Sequence, residues 1–167
     1  MTSGKNSTGA QHDPQASPTV DRTTIAALTR LRVADAMHVG LVSCPPTTPL
    51  RTVARMMATY RVHAILVPDP TAEETTDAWR VITDADLLRG AFHGEFETGL
   101  AGATAVSPGI TVDSEDDLGG AARLMLTLGV AHLVVVEHKT SKPIGVLSTL
   151  DVARALAGFP ERHPAAF

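Results

Sequence analysis

Two short segments place a hydroxyl three residues ahead of a carboxylate: Thr83-Asp84-Ala85-Asp86 and Ser148-Thr149-Leu150-Asp151. Each stands where an apolar stretch gives way to a helical pattern. An ionised carboxylate has two acceptor oxygens and can hold two vicinal hydroxyls. A hydroxyl at a strand-to-helix junction lies where backbone N–H groups and the helix dipole favour a phosphate. The same spacing is also a capping box, in which the carboxylate closes the helix start. The two roles are compatible, since a cap can also touch a ligand. His63 and His132 each sit near a helix-to-strand exit, where half-buried packing is the plainer role. No two of the seven histidines share ligand spacing with a Cys or acid on a recognisable metal scaffold, which argues against a structural metal. Nucleophile elbow, phosphate loop and dinucleotide fingerprint are all missing, so no catalytic constellation is visible.

These segments recur because the chain is duplicated. Residues 50–67 return 68 positions later as 118–135, with seven of eighteen pairs identical, among them Leu50/Leu118, Arg55/Arg123, Met57/Met125 and Val67/Val135. Residues 81–89 return as 146–154, now offset by 65, so the loop inside the first copy is three residues longer. Two copies make a tandem pair, not a solenoid. In each copy a short extended stretch (Leu41–Cys44 or Ile110–Val112) precedes a helix with apolar residues at i, i+3, i+4 and i+7: Leu50, Val53, Ala54, Met57, and Leu118, Ala121, Ala122, Met125. A continuous apolar run (64–67 or 133–136) then reads as a buried strand. A second strand (80–82 or 144–147) and a closing helix (84–92 or 149–156) follow. The unit is β-α-β-β-α, and the fold class is α/β. Each copy alone has a small sheet with one exposed face, so the two copies should pack together.

The chain of 167 residues can bury one core or two small halves that share one. Aromatics make up only 4%, so the core must be built from Ala, Val, Leu, Ile and Met. A net charge of −4 argues against a nucleic-acid surface, no apolar run has the length of a membrane span, and no secretory signal is visible. A cytoplasmic protein is the plain expectation. The single cysteine, Cys44, cannot form an intramolecular disulfide and reads as inert core. Residues 1–20 have a disordered composition, 21–92 hold an N-terminal helix capped by Asp21 and the first repeat, 93–100 form a linker, 101–158 the second repeat and 159–167 a tail. The acidic loop 69–77 reads as mobile.

The helix exit, the Val-rich strand and Gly145-Val-Leu-Ser148-x-x-Asp151, present in duplicate, resemble the cystathionine β-synthase (CBS) domain over about residues 33–92 and 101–158. The resemblance implies two β-α-β-β-α repeats about a pseudo-two-fold axis, forming a regulatory Bateman module that takes an adenosine-containing ligand between the halves. It implies that Asp86 and Asp151 face ribose hydroxyls, that Thr83 and Ser148 lie beside phosphates, and that residues near His63 and His132 face phosphate. The histidines are one place out of register, for His63 aligns with Ala131 and His132 with Ala64. Gly145 fits the family pattern as a place where backbone approaches a ligand closely. The first copy has Arg80 there, which could block its cleft or reach a phosphate. Both copies also lack the proline that the family often carries in the first strand of the hairpin, with Leu66 and Val134 in its place.

The expectation is therefore a non-enzymatic sensor of an adenine nucleotide or S-adenosylmethionine-type ligand, bound at Ser148 and Asp151 in preference to Thr83 and Asp86. A homodimer and an effector protein are the expected partners, with no nucleic acid, membrane or tightly held cofactor. The alternative is a ligand-free dimerisation or protein-interaction module in which both motifs serve only as caps.

Overall fold

A computed structural model describes residues 22–69, 79–105 and 107–158. The two expected tails, the Asp21 cap and nearly all of the 69–77 loop lie outside the described residues. The chain enters through α1 (Arg22–Leu28), the single turn α2 (Val33–Ala36) and the two-residue strand β1 (His38–Val39). The first copy continues as α3 (Leu50–Tyr60), β2 (Ala64–Pro68), β3 (Trp79–Thr83) and α4 (Asp84–Phe92). A second set of leading pieces, α5 (Ala101–Thr104) and β4 (Ser107–Pro108), precedes the second copy: β5 (Thr111–Asp113), α6 (Leu118–Leu128), β6 (His132–Val136), β7 (Pro143–Ser148) and α7 (Thr149–Leu156).

The periodic residues do what their spacing predicts. Leu50, Val53 and Met57 are buried along α3, and Leu118, Ala121 and Met125 along α6. The expected first strand is β5 in the second copy, running parallel to β6. In the first copy it shrinks to one parallel bridge between Ser43 and Leu66, flanked by hydrogen bonds from Leu66 N to Val42 O and from Cys44 N to Leu66 O. Both central helices end in a left-handed residue, Arg61 at φ 53° and Gly129 at φ 66°, which turns the chain into β2 and β6.

The leading segments cross over. β1 pairs with β7 of the second copy, and β4 pairs with β3 of the first. The result is a four-stranded sheet in the order β1-β7-β6-β5 and a three-stranded sheet β2-β3-β4. Leu28, Val33, Ala36 and Met37 accordingly pack with Leu118, Met125, Leu133, Leu147 and Val152. Ala101 and Ala105 pack with Leu50, Ile65, Ile82 and Leu87. The exchange is reciprocal down to single hydrogen bonds: Leu118 N donates to Leu31 O as Leu50 N does to Gly99 O, and Val33 N donates to Asp116 O as Ala101 N does to Thr48 O. This is the expected pseudo-two-fold relation.

The sheets are covered on both faces. Ile65, Val67, Leu133 and Val135 point towards helices, whereas Ala64, Leu66, Val81 and Val134 meet between the sheets beside Leu41 and Trp79. Strands buried on both sides read as continuous apolar runs rather than alternating ones. Each fully buried Leu or Ile contributes on the order of 1.5–3 kcal/mol. The two halves therefore hold together through an apolar seam and through the strands that they exchange.

Candidate functional site

Each copy delivers its motif at a strand-to-helix junction, where an extended strand end becomes the cap of the next helix. Ser148 caps α7 and Thr83 caps α4. In the second copy, Asp151 Oδ2 accepts from Ser148 N at 2.8 Å and from Ser148 Oγ at 2.6 Å, while Asp151 N donates back to Oγ at 3.3 Å. In the first copy, Asp86 Oδ2 accepts from Thr83 N and Oγ1, both at 2.8 Å, and Asp86 N donates to Oγ1 at 3.4 Å. Both motifs are complete capping boxes. Both aspartates are buried, at 5% exposure for Asp86 and 2% for Asp151.

The two carboxylates part company at their other oxygen. Asp86 Oδ1 accepts from Arg89 Nη1 at 2.6 Å, an ion pair one helical turn long. Asp151 Oδ1 has no such bond. Arg154, the equivalent of Arg89, stands off at 3.5 Å, and His38 Nδ1 approaches to 3.1 Å without the alignment of a full hydrogen bond. Oδ1 of Asp151 is thus buried and lacks a directed donor, a costly state for a polar atom. Burial pushes the Asp151 carboxyl upward, but the contacts with His38 and Ser148 outweigh it and hold the group below its ordinary value. The polar contact with Asp151 lifts His38 above the ordinary imidazole value against the opposing pull of burial.

Asp151 lines a cleft of about 380 Å³ between the two copies. Its apolar walls come from Val42, Val62, Ala64, Val146 and Leu150, and its polar groups are Ser148, Asp151, His38, Arg61, His63, His132 and Arg154. His63 and His132, out of register in the repeat, come together here because the cleft takes the α3–β2 connection from one copy and β6 from the other. His63 Nδ1 lies 2.9 Å from Asp84 Oδ2. His132 Nδ1 is buried without a hydrogen-bond partner, and burial pushes the His132 imidazole below its ordinary value, favouring the neutral ring. Arg61 holds the left-handed position that the second copy gives to Gly129, an uncommon conformation for a side-chain-bearing residue.

Of the residues singled out from the sequence, Ser148, Asp151, His63 and His132 share this cleft, while Thr83 and Asp86 lie at the equivalent junction outside it. Gly145, next to Val146 on β7, is not among the residues that line this cleft. A Cβ there would collide with the His38 carbonyl oxygen, so the close approach that this glycine permits is that of strand β1. Arg80 neither enters this cleft nor stands unpaired, for its Nε donates to Asp69 Oδ2 at 2.8 Å across the hairpin. Cys44 is buried, and burial pushes its thiol up. Sequence reasoning misses His38 and Arg61. A signal for Arg61 was available in its alignment with a helix-terminating glycine. His38 had none, because it arrives on a strand donated by the opposite copy.

Among the described residues no group of three or more His, Cys, Asp or Glu side chains could hold a metal ion, and no helix is long and apolar enough to cross a membrane. The sequence matches the CBS domain family at residues 33–92 and 105–158. No curated protein matches it. Solved structures do. The CBS domain of a bacterial CNNM/CorC family Mg2+ transporter in complex with ATP superposes with a TM-score of 0.65 at 16% identity, covering 81% of this chain and 94% of that one. A CBS domain protein from Pyrobaculum aerophilum complexed with AMP gives 0.63 at 27% identity, covering 77% and 98%. The CBS domain pair of protein MJ0100, in complex with 5'-methylthioadenosine and S-adenosyl-L-methionine, gives 0.64 at 13% identity, covering 77% and 97%.

Proposed function

As this chain belongs to the CBS domain family, matching it in both copies, we propose that it is a non-enzymatic regulatory module that binds an adenosine-bearing ligand in the cleft at Ser148 and Asp151. The observation that carries the reading is the buried Asp151 carboxylate, whose Oδ1 has no directed donor and which lines a cleft of about 380 Å³. That volume lies within the roughly 300–1,000 Å³ usual for small-molecule sites. A ribose diol supplies the hydroxyl donors that Oδ1 lacks, the apolar walls suit an adenine ring, and Arg61, His63 and His132 offer nitrogen donors to an anionic tail. Complexes of similar structures with AMP, with ATP, and with 5'-methylthioadenosine and S-adenosyl-L-methionine support the ligand class. The junction at Thr83 and Asp86 suits a ligand less, because Arg89 already occupies Asp86 Oδ1.

Binding would change the relative setting of the two halves, and an effector protein would read that change. A homodimer accords with the exposed apolar residues Leu88 and Phe92 on α4 and Leu126 on α6. A cytoplasmic setting accords with the absence of a membrane-spanning helix among the described residues. The second reading, a ligand-free interaction module, is favoured by the completeness of both capping boxes, which need no ligand to account for either motif.

A thermal-shift screen with AMP, ADP, ATP and S-adenosylmethionine separates the two. A ligand at 100 times its dissociation constant adds about 2.7 kcal/mol, which raises the melting temperature by roughly 5–10 °C in a chain of this size. Unchanged melting temperatures with all four would leave the interaction module as the surviving reading.

A further inference from the structure

Resting on that reading, the geometry points to His38 as a latch over the ligand site: its imidazole stands across the one carboxylate oxygen of Asp151 that a ligand diol needs, as an ion-pair partner without a directed hydrogen bond, so binding a diol displaces the ring. Oδ2 is already committed, since it accepts from both Ser148 N and Ser148 Oγ. The acceptor capacity left to a ligand is therefore on Oδ1, and His38 Nδ1 stands 3.1 Å from it. The exposures agree. The Asp151 side chain is 1% exposed and that of His38 is 40% exposed, so the ring covers the carboxylate and has room to leave it. The backbone of His38 need not move, because β1 remains paired to β7 through His38–Val146 and Val39–Gly145. The first copy has no counterpart. There Arg89 of the same helix pairs with Asp86, and the residue that pairs with Val81 as His38 pairs with Val146 is Ser107.

The latch is sensitive to protonation. Charged His38 makes an ion pair with Asp151 that a neutral diol must break, and above the ordinary imidazole value of 6.5 the displaced ring then gives its proton to bulk buffer. Neutral His38 holds the carboxylate far less firmly. The charged groups that face His38 come from α7, with Asp151 attracting and Arg154 repelling the charged ring. His132 from β6, and Arg61 and His63 from the α3–β2 connection, line the same cleft. Diol binding therefore strengthens as pH rises through the titration of His38.

Adenosine is the probe of choice, because it carries the diol but no phosphate for Arg61, His63 or His132 to sense. Its affinity is measured by calorimetry between about pH 5.5 and about pH 8, in buffers of different ionisation enthalpy. The expected result is binding that tightens with pH between the ordinary imidazole value of 6.5 and the raised value of the latched ring, level on either side, with proton release to the buffer within that interval. His38→Asn should flatten this dependence. Tightening that is equal in the two proteins, or weaker binding at high pH, would overturn the latch and leave the ligand reading intact. No adenosine binding by either protein at any pH would overturn the latch, and the ligand reading falls with it only if AMP, ADP, ATP and S-adenosylmethionine also leave the melting temperature unchanged. An NMR titration of the unmodified, ligand-free protein supplies an arm that needs neither ligand nor folded variant. The His38 ring should titrate above an ordinary imidazole, and a His38 titration at or below that value would remove the ion pair on which the latch depends.

Discussion

The junctions at Asp86 and Asp151 are the same device built twice, and they differ in a single atom's company. Both carboxylates use Oδ2 to close a capping box. Asp86 Oδ1 is then taken by Arg89 from its own helix, whereas Asp151 Oδ1 faces a cleft and a histidine brought from the other copy. Local sequence explains the first arrangement completely, since an i, i+3 Asp–Arg pair needs only a helix. The second exists only after the chain has exchanged strands. The motif held entirely by its own helix has both oxygens engaged, and the one completed across the pseudo-two-fold keeps an oxygen without a directed donor.

The largest effect should come from removing each carboxylate in turn. Asp151→Ala takes away the acceptor for the diol and should cost roughly 2–3 kcal/mol of binding, about 30- to 150-fold in dissociation constant. Asp86→Ala should change affinity less than threefold or so, although it strands Arg89 and shortens a cap, for about 1 kcal/mol of stability. Calorimetry with AMP on both variants checks this, and equal losses would erase the distinction between the junctions. A second contrast concerns Gly145 and Arg80, which share a position in the repeat. Gly145→Ala forces a methyl group against the His38 carbonyl and should cost about 1–3 kcal/mol in urea denaturation. Arg80→Ala releases an ion pair with Asp69 at a partly buried site and should cost about 1 kcal/mol or less. A neutral Gly145→Ala would mean that β1 can lift from β7, and that His38 is less firmly placed than its pairing implies.

The repeat makes much of this legible in advance. Helices α3 and α6 follow from i, i+3, i+7 spacing, and the buried strands β2 and β6 from continuous apolar runs, because period and length are local properties. Ser148 and Asp151 are legible for the same reason. The exchange of β1 and β4 is not. Two residues carry no periodicity, and what fixes them is pairing through space with Val146 and Val81. That is why His38 escapes notice, and why Gly145 invites an explanation in terms of a ligand when the backbone that approaches it is that of β1. Arg80 against Gly145 is visible as a difference between copies, but its meaning depends on Asp69, a partner that no alignment of the copies reveals.

The pH dependence of folding offers a finer test, because two histidines of one cleft should act in opposite senses. His38 is raised in the folded state, so its contribution is fully present below the unfolded imidazole value of 6.5 and is lost as pH rises through the higher folded value. His132 is lowered, so the unfolded chain takes up its proton first, and stability falls as pH drops below 6.5 towards the lower folded value. Melting temperatures followed from about pH 5 to about pH 8 should show the acid-side loss shrinking in His132→Asn and growing in His38→Asn. The same direction of change in both variants would contradict the opposed environments assigned to them.

The smallest expected effect isolates Arg61 from Gly129, the two residues that end the central helices. Both are left-handed, but only glycine adopts that conformation without steric cost. Arg61 lines the cleft in this conformation, and strained residues of this kind cluster at functional sites, which makes it a candidate to meet the anionic end of a ligand. Arg61→Gly should therefore stabilise the protein by about 0.5–1 kcal/mol or leave it unchanged, while reducing the preference for AMP over adenosine. The comparison of the two ligands matters more than either affinity alone. A guanidinium that meets the phosphate changes AMP binding and spares adenosine, whereas one that merely packs against the cleft changes both alike. If the preference is unaltered and stability falls, Arg61 is a helix terminator that happens to carry charge, and the anionic end of the ligand has to be met by His63 and His132.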